Sequence, residues 1–211
     1  ARRSREKGGR FRLIDTGKLS VFELEWLAES GSDIYTSNEA RPNLAELALL
    51  ARACSKGAAV VAYFHHGPLT RNAASGPASL SFLLAIGQSG VYVHLTNRNS
   101  ERNFQDLGEL ADACRSAGTR LVYYHQGRPR ADLEDLAQRG AWIHLSDLNL
   151  ESAGDSAVLL DLIKETAATG SGLALHIERG LQLDELRYFF EAGAFVLFGT
   201  LPVAYGSSFR P

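Results

Sequence analysis

The chain has 211 residues, of which 45% are hydrophobic and 22% charged, and its net charge is −2. These values are typical of one globular domain with a single large core. They give no electrostatic reason to expect a nucleic acid or an anionic membrane as partner. No apolar run reaches the ~20 residues of a membrane helix. Two cysteines form no disulfide framework, so we expect a cytoplasmic protein.

Apolar runs of strand length alternate with segments of helical period along the chain. The predicted strands are Phe11–Thr16, Ile34–Ser37, Ala59–His65, Val91–Thr96, Leu121–His125, Ala141–Ser146, Leu173–Ile177 and Ala194–Gly199. The predicted helices lie near 20–30, 43–56, 78–88, 103–117, 131–139, 156–168 and 182–192. Strict alternation implies a parallel sheet with right-handed crossovers. Eight strands favour closure into a small (β/α)₈ barrel of the TIM type.

Local signals support these helices. Ser20 and Glu23 have the spacing of a capping box at the start of the first one. Glycines follow the helical runs where a left-handed C-cap is expected, at Gly31, Gly57, Gly90, Gly118, Gly140 and Gly193.

The predicted domain boundaries place a single barrel at residues 11–200. Residues 1–10 carry five cations and are interpreted as a basic, flexible leader. The segment 201–211 contains proline and glycine, so the eighth helix is expected to be missing or replaced by this short tail. A missing helix would leave part of the outer wall uncovered, and we therefore expect a homo-oligomer or a subunit of a complex.

An internal repeat supports assembly from duplicated β-α units. Leu47–Gly67 reads LALLARACSKGAAVVAYFHHG, and Leu107–Gly127 reads LGELADACRSAGTRLVYYHQG. A second echo pairs Gly90–Asn97 (GVYVHLTN) with Gly140–Asp147 (GAWIHLSD).

An aromatic–x–His pattern ends four of the strands. The pairs are Tyr63 with His65, Tyr92 with His94, Tyr123 with His125, and Trp142 with His144. Residues i and i+2 of a strand share a face, and the intervening positions are apolar, as expected where helices pack. We therefore expect these four histidines and His176 to point into the barrel, at the end where active sites are built. His66 begins the following loop and is left out of this group.

These imidazoles, with Glu178 two residues beyond His176, form the predicted site. The catalytic candidates are His65, His94, His125 and Glu178. The candidate ligands of a divalent metal (Zn²⁺, Mn²⁺ or Fe²⁺) are His125, His144, His176 and Glu178. For Asp15, Asp147 and Glu39 a loop cap or a surface ion pair is the favoured interpretation.

Arginines in the loops after the strands indicate an anionic substrate. Arginine holds carboxylate or phosphate with two parallel hydrogen bonds. The candidate substrate-binding arginines are Arg41, Arg98, Arg128 and Arg179.

The stretch 176–200, HIERGLQLDELRYFFEAGAFVLFGT, resembles the end of phosphate-binding TIM barrels such as indoleglycerol-phosphate synthase and phosphoribosylanthranilate isomerase. The resemblance implies that backbone amides at Gly180 and Gly199, with Thr200 beside them, hold a phosphate. His125 and His144 also match the strand 5 and strand 6 histidines of metal-dependent amidohydrolases. Strand 1 (FRLIDTG) lacks the His-x-His motif of those enzymes, and strand 8 lacks their aspartate. No resemblance covers the whole chain.

Three functional hypotheses follow. The first is a metal-dependent hydrolase, lyase or isomerase acting on a small anionic molecule, carboxylate or phosphate. The second is a metal-free phosphosugar isomerase or synthase that uses the histidines as acids and bases. The third is a non-catalytic barrel that serves as a subunit of a larger assembly.

Overall fold

The computed structural model describes residues 9–71, 76–98 and 100–201. Every predicted strand is present, and each end lies within two residues of its predicted position. The strands are β1 (Phe11–Ile14), β2 (Ser32–Ser37), β3 (Val61–Phe64), β4 (Tyr92–Thr96), β5 (Leu121–Tyr124), β6 (Trp142–Ser146), β7 (Gly172–Ile177) and β8 (Phe195–Phe198).

All seven predicted helices are present as well. They are α1 (Val21–Glu29), α2 (Leu44–Lys56), α3 (Leu80–Gln88), α4 (Phe104–Ser116), α5 (Asp132–Gln138), α6 (Ala153–Thr169) and α7 (Leu183–Glu191). The predicted capping box at Ser20 and Glu23 opens α1, and Ser152 with Asp155 forms a second one on α6. Such reciprocal caps satisfy backbone N–H groups that have no partner within the helix.

The eight strands form one parallel sheet in sequence order, from β1 to β8. A helix follows each of the first seven strands, so the chain has the (β/α)₈ fold. Within the described residues no hydrogen-bonded ladder joins β8 to β1. The predicted leader and tail fall almost wholly outside the described residues. No described helix is long and apolar enough to span a membrane.

The main hydrophobic core lies between the helices and the outer face of the sheet. It contains residues of every strand from β2 to β7, for example Ile34, Val93 and Leu175, together with helix residues such as Leu50 and Leu110. A smaller cluster occupies the inner face and contains Val122, Tyr124 and Leu201, with Phe64 and Trp142 packed against it. Among the described residues, the inner face thus carries fewer buried apolar side chains than the outer one.

The sequence repeat has a structural counterpart in two loop clamps. The Asn38 side chain donates to the carbonyl of His66 (3.2 Å) and accepts from its amide (2.7 Å). Asn97 makes the same pair of bonds to Gln126, at 3.0 and 2.6 Å. Each clamp joins the end of one strand to the loop after the next, so the repeated units keep equivalent contacts.

Candidate active site

A continuous row of rings crosses the inner face of the sheet toward the C-terminal ends of the strands. We call it the inner ring row. Adjacent members have ring centroids 6.1, 4.2, 5.8, 4.5 and 5.2 Å apart. In strand order the members are Tyr35, Phe64, His94, Tyr124, His144 and His176.

Two hydrogen bonds connect polar members of this row. His94 Nδ1 lies 3.0 Å from the hydroxyl of Tyr124. His144 Nδ1 lies 2.9 Å from His176 Nε2. Glu178 stands at the end of the row and follows β7, two residues beyond His176. It accepts from the Ser146 hydroxyl at 2.7 Å and from the Leu201 amide at 3.1 Å. The row therefore ends in a hydrogen-bonded histidine pair close to a carboxylate.

Burial makes these imidazoles neutral at physiological pH, because the charged form loses hydration inside the protein. It lowers the pKa of His94 to about 3. It also lowers the pKa of His144 to about 3, with smaller contributions from His176 and His94. The pKa of His176 is lowered for the same reason, while Glu178 and the backbone of Gly199 and Thr200 oppose the change. His176 is thus the member of the pair that most readily accepts a proton.

The contact between the two histidines requires complementary tautomers, because one ring nitrogen donates and the other accepts. The backbone of Gly199 and Thr200 raises the pKa of His176, as carbonyl acceptors do. A proton on Nδ1 of His176 would leave its Nε2 as the acceptor for Nδ1–H of His144, and the Nε2 atom of His144 would then carry a lone pair.

The prediction that five histidines share the inner face is wrong for His65 and His125. Tyr63 shares a strand face with His65, and Tyr123 shares one with His125. Both tyrosines belong to the core beneath the helices. His65 Nε2 instead lies 3.3 Å from the carbonyl of Pro68, and His125 Nε2 lies 3.1 Å from that of Arg128. Both imidazoles are buried against their own loops.

The error has a physical reason. Alternation shows only which residues of one strand share a face. The register with the neighbouring strands decides which of the two faces points into the barrel. On β3 and β5 both parities are hydrophobic or aromatic, so periodicity alone does not separate them. Phe64 pairs with His94, and Tyr124 pairs with His144, which places Phe64 and Tyr124 on the inner face.

The orientation of His125 also separates the predicted metal ligands into two groups. His125 lies on the side of the helices, whereas His144, His176 and Glu178 lie on the inner face. Among the described residues no group of three or more His, Cys, Asp or Glu side chains is arranged to hold a metal ion. The predicted set of four ligands is therefore not brought together.

The predicted substrate-binding arginines have different roles. Arg41 is buried and donates to Asp15 at 2.9 Å and to the carbonyl of Leu19, so it ties loops together. The Arg128 side chain is paired with Glu151. Arg98 and Arg179 are exposed, and Arg179 donates to the carbonyl of Leu150 at 3.1 Å. Arg98 and Arg179 are therefore the two that remain near solvent at this end of the barrel.

The amides expected to hold a phosphate are already hydrogen-bonded. The buried carboxylate of Asp147 accepts from the amides of Glu178 (2.8 Å), Arg179 (3.1 Å) and Gly180 (3.0 Å). The amide of Gly199 donates to the carbonyl of Ile177 at 3.2 Å. The interpretation of Asp147 as a loop cap is confirmed. A phosphate at Gly180 would have to replace the carboxylate of Asp147. Thr200, the third residue expected at the phosphate, is exposed.

Sequence reasoning missed several residues of the inner face. Phe64 and Tyr124 lie at strand positions that were predicted to face the helices. Tyr35 lies on a strand without histidine. Ser146 shares the parity of His144, a signal that was available in the sequence. Arg12 of β1 lies over the Tyr35 ring, 5.6 Å from its centroid, and adds an exposed cation to this face.

No protein-family model and no curated protein matches the chain. The fold is similar to that of several solved barrel enzymes. A putative fructose-1,6-biphosphate aldolase from Coccidioides immitis is 13% identical, with a TM-score of 0.48, over 92% of this chain and 75% of that one. The 3-keto-L-gulonate-6-phosphate decarboxylase from Vibrio cholerae is 9% identical, with a TM-score of 0.47, over 90% and 87%. An HpcH/HpaI aldolase from Desulfitobacterium hafniense is 9% identical, with a TM-score of 0.45, over 93% and 88%. At this level the similarity concerns the order of strands and helices and transfers no activity.

Proposed function

We propose that the protein is an enzyme that performs acid–base chemistry on a small anionic molecule at the inner ring row. The observation that carries this proposal is the hydrogen-bonded pair of His144 and His176, placed beside Glu178 at the C-terminal ends of β6 and β7. In barrels of this fold catalytic groups stand at that end of the strands. Neutral imidazoles that share a hydrogen bond are suited to moving a proton.

The pair defines a direction of proton transfer. His144 Nε2 accepts a proton from the substrate, and its Nδ1–H is transferred to or shared with Nε2 of His176. The cation on His176 is stabilised by Glu178 and by the backbone of Gly199 and Thr200. This division of roles follows the lowered pKa of His144, which disfavours a cation there. A lyase or an isomerase needs such a step, in which a proton leaves one atom and returns to the product.

Exposed cations supply the preference for an anion. Arg98 and Arg179 lie in the loops after β4 and β7, and Arg12 lies on the inner face of β1. Each is exposed, and a guanidinium binds a carboxylate or phosphate oxygen through paired hydrogen bonds. We therefore expect the anionic end of the substrate at the rim and its reacting atom over the histidine pair.

A second candidate is a metal-dependent version of the same site. His144, His176 and Glu178 are the predicted ligands that share the inner face, and neutral imidazole is the form that binds Zn²⁺, Mn²⁺ or Fe²⁺. These three described side chains are not arranged around a metal position, so an ion would have to draw them together. Metal binding would replace the hydrogen bond between the two histidines. Titration with each metal, followed by the thermal melting temperature, tests this candidate: a rise that His176→Asn abolishes supports it, and no rise with any metal contradicts it.

The acid–base proposal is tested by hydrogen–deuterium exchange of small substrates in D₂O. The probes are pyruvate, citrate and ribose 5-phosphate, each followed by NMR for loss of a C–H signal. We expect exchange or conversion of at least one compound by the wild-type protein, reduced at least ~100-fold in His144→Gln.

The matched control is His125→Gln, because this histidine also follows a strand of the sheet and makes a hydrogen bond but lies outside the inner ring row. It should retain the activity. Retention of activity in His144→Gln, or no exchange or conversion of any probe, would contradict the proposed function. In the second case the non-catalytic subunit hypothesis gains.

A further inference from the structure

Two large apolar side chains of β8 are exposed on the inner face of the sheet, where the candidate active site lies. Phe195 is 51% exposed and Leu197 is 42% exposed. Leu197 pairs in register with His176, so both side chains point to the inner face. Phe195 lies two residues earlier on the same strand and shares that face. This apolar surface therefore lies beside the histidine pair and not beneath the helices.

The rings of Phe195 and Trp142 meet across β7, whose inward side chains are small. Their centroids are 5.3 Å apart and their planes differ by 23°, which is a stacked arrangement. Trp142 pairs with Gly172 of β7, and Phe195 pairs with Ala174 of the same strand. A Cβ at Gly172 would lie 2.9 Å from the Trp142 ring, so glycine lets the indole lie against β7. We call Trp142, Phe195 and Leu197 the aromatic shelf.

The aromatic shelf combines apolar surface with an unused hydrogen-bond donor. The indole Nε1–H of Trp142 is buried and has no hydrogen-bond partner among the described residues. Buried donors are normally partnered, which makes this one a feature to be explained. Small-molecule pockets are lined mainly by hydrophobic and aromatic side chains, with a few polar groups that fix orientation. The shelf is therefore suited to the apolar part of a small ligand.

We propose that the aromatic shelf binds a planar apolar ring of the substrate, so that the substrate is a small anion carrying such a ring. This inference rests on the proposed function, in which the histidine pair moves the proton and the rim cations hold the anionic group. Successive inward positions of a strand are roughly 7 Å apart. A ring on Phe195 therefore leaves its attached side chain at the level of His176. Arg179 follows β7 beyond that level and is exposed, so it can meet the anionic end.

Binding of carboxylates with and without a ring tests the proposal and needs no turnover. The probes are benzoate against acetate and 3-phenylpropionate against propionate, each pair equal in charge. They are titrated into the full chain and followed by the indole N–H signals in a nitrogen–proton NMR spectrum. The chain has two tryptophans, and Trp26→Phe identifies the signal of Trp142. We expect both ring-bearing probes to shift that signal and to bind at least ~10-fold more tightly than their ringless partners.

Two variants of β8 separate the shelf from the rest of the strand. Phe195→Ser should weaken both ring-bearing probes at least ~10-fold, because their stacking partner is lost, and should leave the ringless probes within about twofold. Phe198→Ser is the matched control, since Phe198 is 80% exposed on the same strand but lies on the opposite face. It should change the binding of neither kind of probe.

The results distinguish this inference from the proposed function. Ring-specific binding at Trp142 without hydrogen exchange or conversion of any compound would contradict the proposed function and support the shelf. Equal binding of benzoate and acetate, no shift of the Trp142 signal up to ~10 mM of either ring-bearing probe, or equal effects of the two β8 variants would overturn the shelf. So would nuclear Overhauser contacts between the Phe195 ring and residues 202–211 in the ligand-free protein, because the chain itself would then occupy the shelf.

Discussion

Among single residues, Asp147 has the largest set of structural contacts at the candidate site. Its buried carboxylate accepts hydrogen bonds from three consecutive amides of the loop after β7, the loop that begins with Glu178. A carboxylate is suited to this role because all its oxygens accept, whereas an amide would present donors to the same N–H groups. The position of Glu178 beside the histidine pair thus depends on a residue that takes no part in the proton transfer.

Asp147→Asn should lower the free energy of unfolding by about 3 kcal/mol, because charged hydrogen bonds are lost and buried amides lose their acceptor. Urea denaturation monitored by circular dichroism measures this change. Asp161→Asn is the control: its side chain is 68% exposed, and the expected change is below ~0.5 kcal/mol. Equal effects of the two substitutions would contradict the assigned role.

Among the secondary-structure elements, the packing of α1 on α2 depends on a glycine. Gly57 was predicted to adopt a left-handed C-cap, but its φ is −79°, and Ala58 has the positive φ of 49° instead. The requirement at Gly57 is space, because a Cβ there would lie 1.9 Å from the carbonyl oxygen of Ala28. The sequence showed that glycine ends the helix, while the reason is a contact with another helix.

Gly57→Ala should therefore destabilise the protein by more than ~3 kcal/mol, since a backbone carbonyl has to move to relieve the clash. Gly154→Ala is the matched control on α6, where the nearest atom to a new Cβ is the Ser152 hydroxyl at 3.5 Å. There the substitution should stabilise by roughly 0.5–1 kcal/mol through the unfolded state. Thermal melting of both variants measures the difference, and a melting temperature of Gly57→Ala within 2 °C of the wild type, set against the ~6 °C or more expected, would refute the packing argument.

At the scale of the whole molecule, buried neutral histidines couple stability to acid. Burial lowers the pKa of His65 to about 4 and those of His94 and His144 to about 3. The corresponding pKa in the unfolded chain is about 6.5. Between these values the unfolded chain binds protons that the folded chain excludes, so acid favours unfolding. Their stabilising contribution is complete above about pH 7 and decreases as the pH falls through 6.5 toward the folded pKa.

Each of these histidines contributes a slope of up to ~1.4 kcal/mol per pH unit below about pH 5.5. His94→Phe should reduce the slope of unfolding free energy against pH by about that amount, because one titrating group is removed. Urea denaturation between pH 4.5 and 7.5 measures it. Tyr124→Phe removes the same hydrogen bond but keeps the imidazole, so it should preserve the slope. An unchanged slope in His94→Phe would show that His94 is protonated normally in the folded protein.

The amino-acid sequence alone determined the fifteen strands and helices, their alternation and the (β/α)₈ class, because hydrophobic period and capping residues are local properties. It also placed the histidines at the C-terminal ends of the strands. Only the tertiary structure decided which of them share a face. On β3 and β5 both parities are apolar, and the register with β4 and β6 turned Phe64 and Tyr124 inward and His65 and His125 outward. The pairing of His144 with His176 is likewise a contact between distant segments, which no local pattern encodes.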